Sequence, residues 1–190
     1  MNSGIIAIVA GILVVFWMYS IYTSLIQKKN KTLEAFASID VQLKKRYDLI
    51  PNILTIAQKY MEYERGVMEE VTKLRTQVMG LSSNFENIDR KISLDSEIAK
   101  KMGQIMVAVE NYPQLKADRT MVTAMQTYNE VEEHIAASRR FYNSAANELK
   151  NAVEIFPSSL FARMLNIKAV DFIKATEQER QPVKASDFLK

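Results

Sequence analysis

The sequence contains no cysteine. Disulfide frameworks, thiolate metal sites, cysteine nucleophiles and an acylated cysteine are therefore excluded. Glycine and proline are scarce, with five and four residues among 190. Sharp turns should be few, and sheets of any size are not expected. The chain also lacks a dominant charge. Lys plus Arg number 25 and Asp plus Glu 22, for a net charge of +3. That is a mixed surface and not the basic footprint of a nucleic-acid binder, so no nucleic-acid partner is expected. What remains is rich in Met, Ala, Leu, Ile, Glu, Lys and Gln, the residues of helices.

One long apolar run stands at the N-terminus. Gly4 to Ile26, GIIAIVAGILVVFWMYSIYTSLI, carries no charge over 23 residues. As a helix it spans ~34 Å, enough to cross a hydrocarbon core of ~30 Å. A cleaved signal peptide fits less well. No basic stretch precedes Gly4, the run is too long, and no small-residue cleavage site follows. Trp17, Tyr19 and Tyr22 lie in its second half, where amphipathic rings suit a membrane interface. Lys28, Lys29 and Lys31 follow the run and none precedes it. The positive-inside rule then puts the N-terminus outside and the rest in the cytoplasm. These three cations also suit anionic lipid. Ser3, Ala7 and Gly11 share one helix face, which is ordinary for a membrane helix and also suits close helix pairing.

Beyond the run, Phe36, Leu43, Tyr47, Ile50, Leu54, Ala57, Met61, Met68, Val71 and Val78 recur at steps of three, four or seven. That is an amphipathic stripe. Pro51 interrupts it without shifting its phase, so the spacing predicts a kinked but continuous helix through Pro51, continuing towards Met79. The missing proline N–H leaves the Tyr47 carbonyl in need of another donor. Residues 80–93 gather Gly, Ser and Asn and read as a loop. A second helix is expected from Leu94 to Glu110, and a third from Asp118 to Glu154. The third carries the stripe Met121, Met125, Tyr128, Ile135, Tyr142, Ala146, Leu149, Val153 and Phe156. A short last helix, Leu160 to Leu165, follows Pro157.

The expected fold is all-α: an N-terminal transmembrane helix continuous with an antiparallel helical bundle of three long helices plus a short C-terminal helix. The expected organisation is a tail at 1–3, a membrane span at 4–26, a bundle domain at 27–165 and a polar tail at 166–190.

Charged residues intrude on the apolar stripes. Asp40, Glu64 and Arg75 do so on the first, Glu132 and Arg139 on the third. A charge on a buried face needs a partner. Arg139 foremost, with Arg46 as the second candidate, is therefore expected to meet Asp40 or Glu132 across the helices, with outward-leaning, solvated side chains as the equal alternative. His134 is the only histidine and has no second histidine or Glu-x-x-His partner, so it reads as a solvated helix residue and no metal is expected. Phosphate-binding glycine loops and the Gly-x-Ser-x-Gly elbow are absent, and no catalytic residue or cofactor is expected.

Taken together, several stretches resemble the LemA family of bacterial proteins, which have an N-terminal membrane helix and a helical-bundle domain. They are ASIDVQLKKRYDLIPNIL, YPQLKADRTMV and HIAASRRFYNSAANELKNAVEIFP, and the resemblance runs from about Tyr22 to Phe172. Asp40, Gln42, Arg46, Tyr47, Asp48, Pro51 and Asn52 fall in the first signature. Arg139, Arg140, Tyr142, Asn143, Phe156 and Pro157 match the C-terminal one. Where the family usually has a second Tyr-Asn, a His-Glu and a Gly-Phe, this chain has Leu149-Lys150, Tyr63-Glu64 and Asn166-Ile167. The resemblance implies fold and topology more than activity, since the family has no established biochemistry. One branch resembles proteins of the magnetosome membrane, for which a part in shaping or organising vesicles is inferred.

The function expected is that of a non-enzymatic, single-pass scaffold in the bacterial cytoplasmic membrane or an organelle membrane derived from it. Its partners would be the lipid bilayer, other membrane proteins or further copies of itself. The alternative is a membrane-anchored adaptor or sensor that regulates a membrane enzyme such as a protease or kinase, with the Pro51 kink as its movable element.

Overall fold

The computed structural model describes residues 3–82 and 84–174; the expected tail beyond 174 and residues 1–2 lie outside the described residues. Among the described residues the secondary structure is entirely helical. The helices are α1 (Ser3–Ala57), α2 (Arg65–Met79), α3 (Ile88–Val109), α4 (Pro113–Lys116), α5 (Arg119–Glu154) and α6 (Ser158–Met164). The described residues divide into two compact units, one within 3–39 and 136–172, the other within 40–82, 84–135 and 173–174. Helices α1 and α5 each contribute residues to both.

The helix α1 continues from the apolar run through Pro51 to Ala57 without a break, as the unshifted stripe predicts. It is long and apolar enough to cross a membrane, and its most apolar stretch is wholly exposed. From Leu25 onward the predicted stripe turns inward: Phe36, Leu43, Tyr47, Ile50, Leu54 and Ala57 are buried.

The helix does not run on to Met79. It ends in a tightened turn in which the Lys59 and Tyr60 amides reach back only three residues, to the carbonyls of Ile56 and Ala57. The Met61 amide also reaches the Ala57 carbonyl, so Met61 stays buried. The apolar stripe thus keeps its phase across a true helix end, which is why the spacing conceals it. A straight continuation would hold Arg75 ~42 Å from Tyr47 at 1.5 Å per residue. Instead Arg75 Nε lies 2.6 Å from the Tyr47 carbonyl, so α2 folds back along α1.

The expected loop at 80–93 is also shorter than the sequence suggested. Asn84 accepts from the Asn87 amide and starts a single 3-10 turn, Phe85–Asn87, and α3 follows at once, six residues earlier than expected. Local capping here outweighs the low apolar content. Pro113 opens α4, where its missing N–H costs nothing. Asp118 caps α5 by accepting from the Thr120 and Met121 amides at 2.8 and 3.1 Å.

Each unit has its own packing. In the first, Lys31 meets Glu148, Thr32 donates to the Ala145 carbonyl and Ser38 meets Ser138. These pairs advance in opposite directions along the two helices, as an antiparallel pair does. Phe36 and Tyr142 face each other with centroids 6.4 Å apart. Leu25, Leu149, Ala152, Ala162 and Ile167 form a core cluster. The segment expected to begin a tail at 166 is tied in, with Ile167 buried and the Asp171 carbonyl accepting from the Tyr142 hydroxyl. Phe156, expected on the buried stripe, is exposed, because α5 ends at Glu154 and the stripe geometry ends with it.

In the second unit α2 packs on α3 and buries Met68, Val71 and Val78. The turn before α2 is held by the Tyr112 hydroxyl, which donates to Glu64 at 3.0 Å. Asp40–Lys91 and Arg46–Asp95 advance together along α1 and α3, so these two helices run in the same direction here. The fold-back of α2 accounts for this, since it adds one reversal that the sequence reading did not contain.

Candidate functional site: a buried arginine junction and a proline clamp

Arg46 is the focus of the second unit. It lies in the first predicted signature, on the face of α1 that also carries Leu43 and Ile50. Only 1% of it is exposed, and it is the largest fully buried side chain described. Its guanidinium contacts α3 and α5. One Nη1–H donates to Asp95 Oδ2 at 2.5 Å, and Nη2 pairs with Glu132. Its Cζ lies over the Tyr128 ring, 5.1 Å from the centroid. A planar, permanently charged fork suits this geometry in a way a lysine does not.

Burial works against the charge of Arg46, yet Asp95 and the surrounding groups outweigh it and the pKa moves up. The two tyrosines beside it are shifted too. Burial, reinforced by Asp95, raises Tyr47 far above the ordinary phenol range. Burial pushes Tyr128 up to about 12 against the opposing pull of Arg46. All three groups keep their ordinary protonation at neutral pH. The junction is therefore a fixed charge lock between α1, α3 and α5.

A second ion pair stands one to two turns away. Lys91 of α3 donates to Asp40 of α1 at 2.8 Å, and Lys91 is buried. Beside it opens a cleft of about 190 Å³ bordered by Lys44, Tyr47, Val78 and Met79.

The proline clamp adjoins the junction. Pro51 supplies no N–H to Tyr47, and the charged Nε–H of Arg75 takes that place at 2.6 Å. This is the partner the sequence called for. Arg75 Nη2 also lies 4.0 Å from Asp48. An orphaned helix carbonyl and an arginine on the returning helix thus fix where α2 docks.

Several predicted residues meet here and others do not. Of the pairs expected, Arg46, the second candidate, meets Glu132, while Asp40 is taken by Lys91, which was not foreseen, and Arg139 lies in the other unit. Gln42 is half-buried, while Asp48 and Asn52 are exposed on α1. Arg139, Tyr142 and Asn143 belong to the first unit, with Tyr142 buried, Arg139 and Asn143 half-buried and Arg140 exposed. Pro157 follows a cis peptide bond and precedes α6. Lys28 reaches Ser24 and Lys31 is taken by Glu148, while Lys29 is exposed. His134 is exposed, and among the described residues no group of three or more His, Asp or Glu side chains is placed to hold a metal ion.

The sequence reading missed Lys91 and Asp95. Asp95 stands three residues before Ile98 and seven before Met102, on the buried face of α3. The rule that singled out Asp40 and Glu132 would have found it had α3 been started at Ile88.

The chain is 24% identical over 168 residues to Protein LemA of Metamycoplasma hominis, covering 86% of this chain and 74% of that protein. It is 18% identical over 205 residues to the magnetosome proteins MamQ 1 and MamQ 2 of Paramagnetospirillum magneticum, covering 96% of this chain and 74% of each. The LemA family profile matches residues 35–186, which include the arginine junction, the proline clamp and both signatures. The chain belongs to the LemA family.

Proposed function

We propose that this protein is a non-enzymatic, single-pass membrane anchor whose helices close as a bundle that docks or assembles membrane proteins, or organises the membrane itself. One observation carries the reading. The helix α1 leaves an uncharged stretch wholly exposed and then continues, unbroken, into a segment with a buried stripe. Water is a poor solvent for the first part, and packing satisfies the second. A continuous helix of this kind connects the bilayer-suited stretch to the packed segment. The charge lock at Arg46 supports a structural role, because its members are paired with one another. The names of the magnetosome relatives support a setting in a bacterial membrane or an organelle derived from it. The cations after the span support an N-terminus outside and a cytoplasmic domain.

The test is purification of the full-length protein from its own membrane in mild detergent. Co-purification of membrane proteins in fixed proportion, or recovery as an oligomer, is the expected result; recovery alone as a monomer overturns the reading. Because the chain has no cysteine, Ser3→Cys and Tyr63→Cys report orientation directly. An impermeant maleimide added to intact cells should label the first and not the second.

A further inference from the structure

We propose that α6 and the turn before it form a second contact with the bilayer, lying in the interface of the leaflet from which α1 emerges. The inference rests on the anchor reading above. It starts from what α6 packs against. Ala162 is fully buried in a cluster with Leu25, Leu149, Ala152 and Ile167, and Ile26, Val153 and Phe161 pack against that cluster. Leu25 and Ile26 are the last two residues of the uncharged run. The helix α6 is therefore docked at the level where the apolar run ends.

The path of α5 leads to the same level. Ser38–Ser138, Thr32–Ala145 and Lys31–Glu148 advance towards the apolar run along α1 as they advance towards the end of α5. Ile155 and Phe156 lie beyond Leu149 and Ala152, which share a core cluster with Leu25. They therefore stand at the depth of the end of the run.

The side of this segment that is not packed inward is apolar. Phe156 is 78% exposed and Met164 76%, and Ile155, Leu160 and Leu165 are exposed as well. Residues 155–162, IFPSSLFA, carry no charge. A soluble surface rarely presents such a patch. Lys29, Arg163 and Lys168 are exposed in the same unit, with Glu154 the exposed acid beside Ile155. Exposed apolar side chains accompanied by cations suit an interface, with acyl chains below and phosphates above. The covering partner is lipid, because the patch is continuous in depth with a segment whose solvent is lipid.

The experiment uses the full-length protein reconstituted into vesicles of phosphatidylcholine and phosphatidylglycerol. Single substitutions Phe156→Cys and Met164→Cys carry an environment-sensitive fluorophore, with nitroxide-labelled lipids as quenchers. Both side chains are exposed, so neither substitution removes core, and circular dichroism verifies that each variant is folded. Val15→Cys marks the middle of the apolar run, and Ala37→Cys, exposed on α1 ~16 Å beyond Ile26, marks water. Blue-shifted emission at residues 156 and 164, quenched by nitroxide near the headgroups, with Val15→Cys quenched by deep nitroxide and Ala37→Cys by neither, supports the proposal. Quenching at Val15→Cys without quenching at the two α6 sites overturns it and leaves the anchor standing. A blue shift there without lipid quenching assigns the patch to a protein partner or a second copy and likewise overturns it. Loss of quenching at Val15→Cys overturns the anchor and this contact together.

Discussion

Replacing Arg75 by methionine tests whether the arginine stands in for the hydrogen bond that Pro51 cannot supply. The substitution keeps much of the apolar stem and removes the donor 2.6 Å from the Tyr47 carbonyl. A hydrogen bond from a charged donor contributes ~1.5–3 kcal/mol. The Arg75 side chain is 24% exposed, so water can partly take its place, and the cost should fall near the lower end. In a chain of this size ~1.5 kcal/mol lowers the melting temperature by ~3–6 °C.

The decisive arm is Pro51→Ala. It restores an amide that donates to the carbonyl four residues back, which is Tyr47. Alone it should stabilise by ~2–2.6 kcal/mol, the ~3 kcal/mol cost of an interior proline less ~0.4–1 kcal/mol for the freer unfolded chain. In that background Arg75→Met should cost ~1 kcal/mol less, because the carbonyl is no longer orphaned. The coupling is partial, since a carbonyl oxygen accepts two bonds. Asp48→Asn serves as control: its carboxylate is 4.0 Å from Arg75 and largely exposed, so its loss should matter little. Thermal unfolding of the full-length protein in mild detergent, followed by circular dichroism, gives all four values. An equal penalty for Arg75→Met with and without Pro51→Ala would refute the clamp.

Two further outcomes follow from the arginine junction. Arg46→Met leaves Asp95 buried without its cation and should destabilise by ~3–5 kcal/mol, whereas adding Asp95→Leu should recover much of the loss; unchanged melting for Arg46→Met alone would sink the lock. The raised tyrosine pKa values predict alkaline weakening. Tyr128 has an ordinary phenol value of 10.0 and is pushed up to about 12 when folded, so the unfolded chain releases its proton first as pH rises. Stability is then whole below pH 10, falls as pH climbs towards 12, and the fall should be shallower in Tyr128→Phe, as denaturant titrations across that range will read.

The sequence carried these features unevenly. The inward stripe of α1 was legible because helical spacing alone decides which side chains share a face. Leu43, Tyr47, Ile50 and Leu54 are all buried, and the helix passes through Pro51 as their spacing required. The need for a donor at the Tyr47 carbonyl followed from covalent structure, since proline has no N–H. That the intruding charges call for partners followed from the cost of a bare buried charge; which arginine meets Glu132 did not. What could not be read was the end of α1 at Ala57. No proline or glycine marks it, and the four-residue step from Ala57 to Met61 is kept across the turn. Phe156 likewise fits the stripe of α5 by number, yet the helix has ended before it and the ring is exposed.

Composition and periodicity determined by themselves that this chain is helical, that its first segment suits a bilayer, and that certain charges need partners. These are local facts, set by side-chain chemistry and 3.6 residues per turn. Only the tertiary structure decided which donor fills the Tyr47 carbonyl, which acid of α3 faces Arg46, and which core cluster receives α6. Those choices depend on the fold-back of α2 and on contacts between residues as distant in the chain as Leu25 and Ala162, and no local preference encodes such a distance.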